Sequence, residues 1–95
     1  MSDLIEVKRA MRAAALRARE AAFREVGASA PMAVRDHFLA AFKVPRKKPV
    51  SAYWAMRTEL DTAPLLTALA ERGHVCALPV VARDRGQLEF RRWRP

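Results

Sequence analysis

The chain has 95 residues with 52% apolar side chains, enough for one small domain with a modest core and too apolar for low-complexity disorder. Eighteen basic residues against 10 acidic ones leave a formal charge of +8, which points to an anionic partner: nucleic acid, an acidic membrane surface or a phosphorylated small molecule. Cys76 is the single cysteine, which excludes an internal disulfide and a cysteine-based zinc site and suits a reducing cytoplasm.

The charge is uneven. Residues 1–49 hold 11 basic and 5 acidic groups, and residues 50–95 hold 7 and 5. Fourteen of the 18 basic residues are Arg in a chain rich in Ala, so composition alone is a second account of the excess. No apolar run approaches the roughly 20 residues of a membrane span. Asp3 and Glu6 near the start, with no apolar stretch behind them, argue against a secretory signal or a transit peptide.

The first segment reads as a long helix from Leu4 to Val26, capped by Asp3, with Glu6 in a capping-box-like position and Gly27 at its end. At about 100° per residue, Lys8, Arg12 and Arg19 fall within about 40° of one another. Ile5, Leu16 and Phe23 flank that stripe on one side, and Leu4, Val7, Met11, Ala15, Ala18 and Ala22 on the other. Arg9, Arg17 and Arg24 lie on the opposite, solvent-like face with Glu6 and Glu20. Lys8 and Arg12 thus sit between apolar flanks, where an unpaired charge is costly, and one turn apart they can meet one phosphate. A solvated basic face is the plain alternative.

A second helix is predicted from Pro31 to Lys43, capped by Ser29, and Val44–Pro49 reads as a linker. Val50–Met56 is a buried-strand candidate, Thr58–Asp61 a loop, Thr62–Arg72 a helix ended by Gly73, and His74–Val81 a second apolar strand. A polar turn at 82–86 leads to an alternating strand, Gln87–Trp93. Strand, helix, strand implies a parallel pair joined by a right-handed crossover, so the chain reads as a single α/β domain.

In such sheets ligands bind beyond the carboxyl ends of the strands, which points at Glu59 and the aromatic pair Tyr53-Trp54 before it. A ring surface beside a carboxylate can hold a flat heterocycle with N–H donors. Core aromatics with a locally paired Glu are the alternative. Cys76 inside an apolar strand reads as a buried, inert thiol, and His37 and His74 have no companions at catalytic or metal-ligand spacing. Arg91-Arg92-Trp93-Arg94 mixes basic and aromatic groups in the manner of a single-strand nucleic-acid binder. With only Gly27, Gly73 and Gly86, the chain has no glycine-rich phosphate cradle.

Four strings, in order, carry a resemblance. Lys8-Arg9-Ala10-Met11-Arg12 resembles the K-x-x-L-R run that opens 5-formyltetrahydrofolate cyclo-ligases, with Met11 in place of the usual Leu. Ser51 to Thr62 resembles that family's strand and its E-[IVL]-D-T loop. Leu65 to Val81 is similar to its next helix and strand, and Leu88-Glu-Phe90-Arg-Arg-Trp93 to its L-x-F-x-x-W segment.

The resemblance implies a three-layer α/β fold with a mainly parallel sheet and helices on both faces, here reduced to two N-terminal helices plus a β-α-β-β unit. It implies ATP- and Mg²⁺-dependent conversion of 5-formyltetrahydrofolate to 5,10-methenyltetrahydrofolate: the formyl oxygen is phosphorylated, a folate nitrogen closes the ring, and phosphate leaves. Lys8, Arg9, Ala10, Met11 and Arg12 would contact ATP, and Trp54 and Glu59 the folate. No residue is singled out as catalytic and none as a metal ligand, and neither a nucleic-acid nor a membrane partner is expected. Family members run to about twice this length, and their second half carries a glycine-rich G-x-G-[GK]-G-Y-Y-D run. The chain is therefore expected to be an N-terminal portion, 1–95, with little activity alone. A small basic nucleic-acid-binding module and an inactive remnant are the competing readings.

Overall fold

The computed structural model describes residues 3–82 and 86–95. Helix α1 covers Asp3–Val26, α2 Ala30–Ala41 and α3 Ala63–Glu71, and strands β1, β2 and β3 cover Val50–Ser51, Cys76–Val81 and Leu88–Trp93. The three predicted helices and three predicted strands are all present, with ends shifted by a residue or two except at β1. Residues 83–85 of the predicted polar turn lie outside the described residues.

The strands lie in the order β1-β2-β3. β1 runs parallel to β2, Val50 beside Cys76 and Ser51 beside Ala77, as the strand-helix-strand order requires. β3 returns antiparallel, from Val81 beside Leu88 to Cys76 beside Trp93. The sheet is thus mixed. Pro79 sits in the middle strand without cost on the β1 side, because β1 has left the ladder by then: its last rung is the Ala52 N–H to the Ala77 carbonyl at 3.2 Å.

Leu66 and Leu69 of α3 and Cys76 of β2 form the buried centre, at 0%, 1% and 1% exposure. Phe38 and Leu39 of α2, Val50, Leu78 and Trp93 pack around them. These residues explain why α2 and α3 stand against the face of the sheet that carries Cys76 and Leu78. Val81, Leu88 and Phe90 alternate onto the other face and are largely exposed.

The ends of the helices follow local chemistry, in part other than expected. Ser29 precedes α2 but makes no capping bond; its backbone is already helical, and its hydroxyl turns back to the Val26 carbonyl at 3.4 Å. Asp3 is the first helical residue of α1, so it lies inside the helix and not before it. Gly27 ends α1 as expected, since a Cβ there would stand 2.3 Å from the Phe23 carbonyl oxygen. Gly73 closes α3 at φ 90, and the His74 N–H reaches back to the Leu69 carbonyl at 3.0 Å.

The radius of gyration, 16.7 Å, exceeds the about 12 Å of a compact domain of this size. α1 is the reason: it has no buried residue, and Leu4, Ile5, Val7 and Met11 are more than half exposed.

Candidate functional site

The site is the segment from β1 to α3. β1 is two residues long, not the predicted seven, so Tyr53 to Met56 belong to a loop. Its own side chains hold that loop closed. The Thr62 hydroxyl donates to the Tyr53 carbonyl at 2.6 Å, and the Tyr53 hydroxyl donates to the Leu60 carbonyl at 2.8 Å. These two bonds tie Tyr53 to Leu60 and Thr62 and so close 53–62 into a loop beyond the strand. Asp61 accepts the Ala63 N–H at 3.0 Å and so caps α3 in place of Thr62, whose side chain is turned to the loop.

Within the loop, the Glu59 N–H donates to the Met56 carbonyl at 3.1 Å, and one Glu59 carboxylate oxygen accepts the Met56 N–H at 2.8 Å. This reciprocal pair fixes the turn 56–59, inside which Arg57 takes the left-handed conformation, φ 56. A non-glycine residue there costs about 1–2 kcal/mol, which the two bonds offset. Glu59 is half-buried, and only one of its oxygens is used by the backbone. The Tyr53 hydroxyl is pushed above the usual tyrosine range, first by burial, then by the negative charges of Glu59 and Asp61.

Trp54 is 54% exposed and lies 6.3 Å from Trp93, ring to ring, tilted by 46°. A groove of about 410 Å³ is lined by Trp54 and Glu59 together with Phe23, Pro31, Met32 and Pro64. The structure therefore brings the two residues of the predicted folate contact into one groove. On the other side of Glu59 a smaller cavity of about 140 Å³ lies under α1, lined by Arg19, Phe23, Val26, Thr58, Glu59 and Asp61.

The basic run is placed differently. Lys8, Arg9, Ala10, Met11 and Arg12 are all exposed on α1. The expectation that Lys8 and Arg12 sit in costly apolar surroundings is corrected: the flanking Ile5, Leu4, Val7 and Met11 face solvent too, so no desolvation acts on the cations. Arg12 lines a concavity of about 350 Å³ with Ala15, Leu16 and Arg19; Lys8, Arg9, Ala10 and Met11 line none of these hollows. Arg19 is the residue that the run omitted. It shares the stripe of Lys8 and Arg12, and its Nε–H donates to the Thr58 hydroxyl at 3.0 Å. The 40° clustering on the helix was the signal for it.

The donor set suits a polyphosphate. Lys8, Arg12 and Arg19 are basic residues on one helical face, and guanidinium groups meet phosphate oxygens in pairs. Among the described residues no three His, Cys, Asp or Glu side chains stand close enough to hold a metal ion.

The remaining candidates separate cleanly. Cys76 is buried, its thiol pushed up by burial and directed to the Leu66 carbonyl at 3.6 Å, as expected of an inert core thiol. His37 is exposed, and His74 follows Gly73 in the turn after α3 with its Nδ1 buried and without a hydrogen-bond partner among the described residues. Arg91 lies 3.7 Å from Glu89, and Trp93 packs against the core and Trp54. No described helix is long and apolar enough to cross a membrane.

No curated protein and no solved structure matches the chain. Residues 4–95, nearly the whole length from the basic helix to the strand that ends at Trp93, match the sequence model of the 5-formyltetrahydrofolate cyclo-ligase family, and the chain belongs to that family.

Proposed function

We propose that the chain serves the ATP-dependent conversion of 5-formyltetrahydrofolate to 5,10-methenyltetrahydrofolate in the cytoplasm, with Trp54 and Glu59 holding the folate and Lys8–Arg12 facing the nucleotide. The observation that carries this reading is the groove shared by Trp54 and Glu59. The exposed indole offers a face for a flat heterocycle. The Glu59 carboxylate keeps one oxygen on the Met56 N–H and has the other for ring N–H donors, so the turn orients the acceptor before ligand arrives.

On this reading Lys8 and Arg12 offset the negative charge of the phosphates, Arg12 from the wall of its concavity and Lys8 from one turn earlier. Arg9, Ala10 and Met11 complete the run, with Met11 supplying apolar contact. ATP, when bound, supplies the phosphoryl group that activates the formyl oxygen. Mg²⁺ would be carried by the phosphates, since the chain's described residues offer no ligand set. The three-layer, mainly parallel arrangement over a single domain, 1–95, belongs to the same proposal. Turnover by the 95-residue chain alone is expected to be slight, because α1 presents its cations from one side only and buries none of its residues.

Calorimetric titration of the chain with 5-formyltetrahydrofolate, and separately with ATP and Mg²⁺, tests the reading. Each ligand is expected to bind. Trp54→Ala should weaken the folate about tenfold and leave ATP alone, as loss of one stacking face implies. A chain that binds neither ligand, or a Trp54→Ala variant that binds folate unchanged, would sink the assignment.

A further inference from the structure

Arg19 is the one residue that lines both the concavity of Arg12 and the cavity of Glu59. It stands seven residues, about two turns, after Arg12, so the two guanidinium groups leave α1 on the same side. Its Nε–H is held by the Thr58 hydroxyl at 3.0 Å, and Thr58 is the residue before Glu59. Among the described residues no partner meets its two terminal nitrogens. A guanidinium anchored at Nε keeps its plane fixed and turns those nitrogens outward, where two parallel N–H groups match two oxygens of a phosphate.

We propose that Arg19 is a phosphate-binding residue at the junction of the Arg12 concavity and the smaller cavity beside Glu59, pinned by Thr58 so that the anion held by Arg12 is brought beside the loop of Glu59. The inference rests on the proposed function for the identity of the ligand as a polyphosphate. It adds that the Arg12 concavity meets, at Arg19, the smaller cavity that shares Phe23, Glu59 and Asp61 with the folate groove, and it assigns Thr58 as a positioning residue acting through Arg19. The same bond joins α1 to the loop 56–61, so anion binding at Arg19 is felt at the turn that orients Glu59.

The test uses the 95-residue chain with two probes, inorganic tripolyphosphate and ATP, titrated by calorimetry at fixed ionic strength because a chain of charge +8 attracts any anion. Arg19→Ala is expected to lower the affinity for both probes about tenfold, the loss of a charge-assisted pair of hydrogen bonds. Arg19→Lys, which keeps the charge but not the fork, should recover part of it. Thr58→Val should cost about threefold with the Arg19 charge still present. Arg17→Ala, on the opposite face, removes the same charge and should change affinity by less than about twofold. Ala is the best helix former, and far-ultraviolet circular dichroism checks that α1 survives each exchange.

If Arg12→Ala weakens binding while Arg19→Ala behaves like Arg17→Ala, the role of Arg19 is overturned and the proposed function stands. If Arg17→Ala costs as much as Arg19→Ala, the binding is general charge and the junction is overturned. If the unaltered chain binds neither probe, both readings fall. Loss at Arg19 with Thr58→Val unchanged removes the pinning and with it the proposed junction.

Discussion

The indole rings of Trp54 and Trp93 lie 6.3 Å apart and tilted by 46°, tying the loop after β1 to the last residue of β3. These are the only tryptophans of the chain. Trp93 is half-buried against the core, whereas Trp54 is 54% exposed. Folate at the proposed groove should therefore quench Trp54 and touch Trp93 little. In Trp93→Phe the remaining emission should fall strongly on addition of 5-formyltetrahydrofolate; in Trp54→Phe it should change little. Equal quenching in both variants would place the ligand elsewhere.

Glu59 has two jobs that substitutions can separate. Glu59→Gln keeps a carbonyl oxygen for the Met56 N–H, so thermal stability should stay within about 0.5 kcal/mol while folate affinity drops. Glu59→Ala loses the turn bond as well and should cost about 1 kcal/mol of stability. Thermal melts followed by circular dichroism, beside folate titrations, read the two effects. A Gln variant that binds like the parent removes the charge from the account.

Tyr53 gives a pH signature. Its hydroxyl is raised above the ordinary value of 10.0 by burial and by Glu59 and Asp61, so folding favours the protonated form. The stability this adds is present below the unfolded pKa and lost as pH rises through the higher folded one. As the only tyrosine, Tyr53 can be followed by ultraviolet absorbance, and its midpoint in the folded chain should exceed 10.0 and fall on unfolding in urea. Tyr53→Phe should lose the bond to the Leu60 carbonyl, about 1 kcal/mol, and flatten the alkaline decline of stability. A folded midpoint at or below the unfolded one would contradict the loop geometry.

The core is small enough for one residue to decide folding. Leu66 is fully buried between α2, α3 and the sheet, and Leu66→Ala should cost about 2–5 kcal/mol, a large part of what so small a domain has. Urea unfolding measures it. Cys76, beside Leu66, should react with a thiol reagent slowly in the folded chain and quickly in urea. Fast reaction under native conditions would mean that the centre of the core is open.

Much of this was legible in the sequence. Periodicity and the glycines at 27 and 73 placed the helices, and the apolar runs placed β2 and β3. The rule that sites lie beyond the strand ends pointed at Glu59 and the Tyr53-Trp54 pair, and the resemblance singled out Trp54 and Glu59, which line one groove. The rest depended on which partner each side chain meets in the fold. The apolar residues 53–56 look like strand, but the hydroxyls of Thr62 and Tyr53 take the backbone into a loop. Ser29 looks like a cap, but its hydroxyl is drawn back to Val26. The flanks of α1 look buried because amphipathic patterns usually are, whereas here Leu4, Ile5, Val7 and Met11 are more than half exposed. Arg19 lay on the right face, yet its meaning required Thr58, 39 residues away.

The most direct test of the central claim is an amide chemical-shift map of the isotope-labelled chain titrated with 5-formyltetrahydrofolate and then with ATP. The account predicts that folate moves the amides of Trp54 and of 56–61, the Met56 N–H bonded to Glu59 among them, and that ATP moves Lys8 to Arg19 on α1. Shifts confined to β3, or scattered over every basic residue and erased by moderate salt, would contradict it.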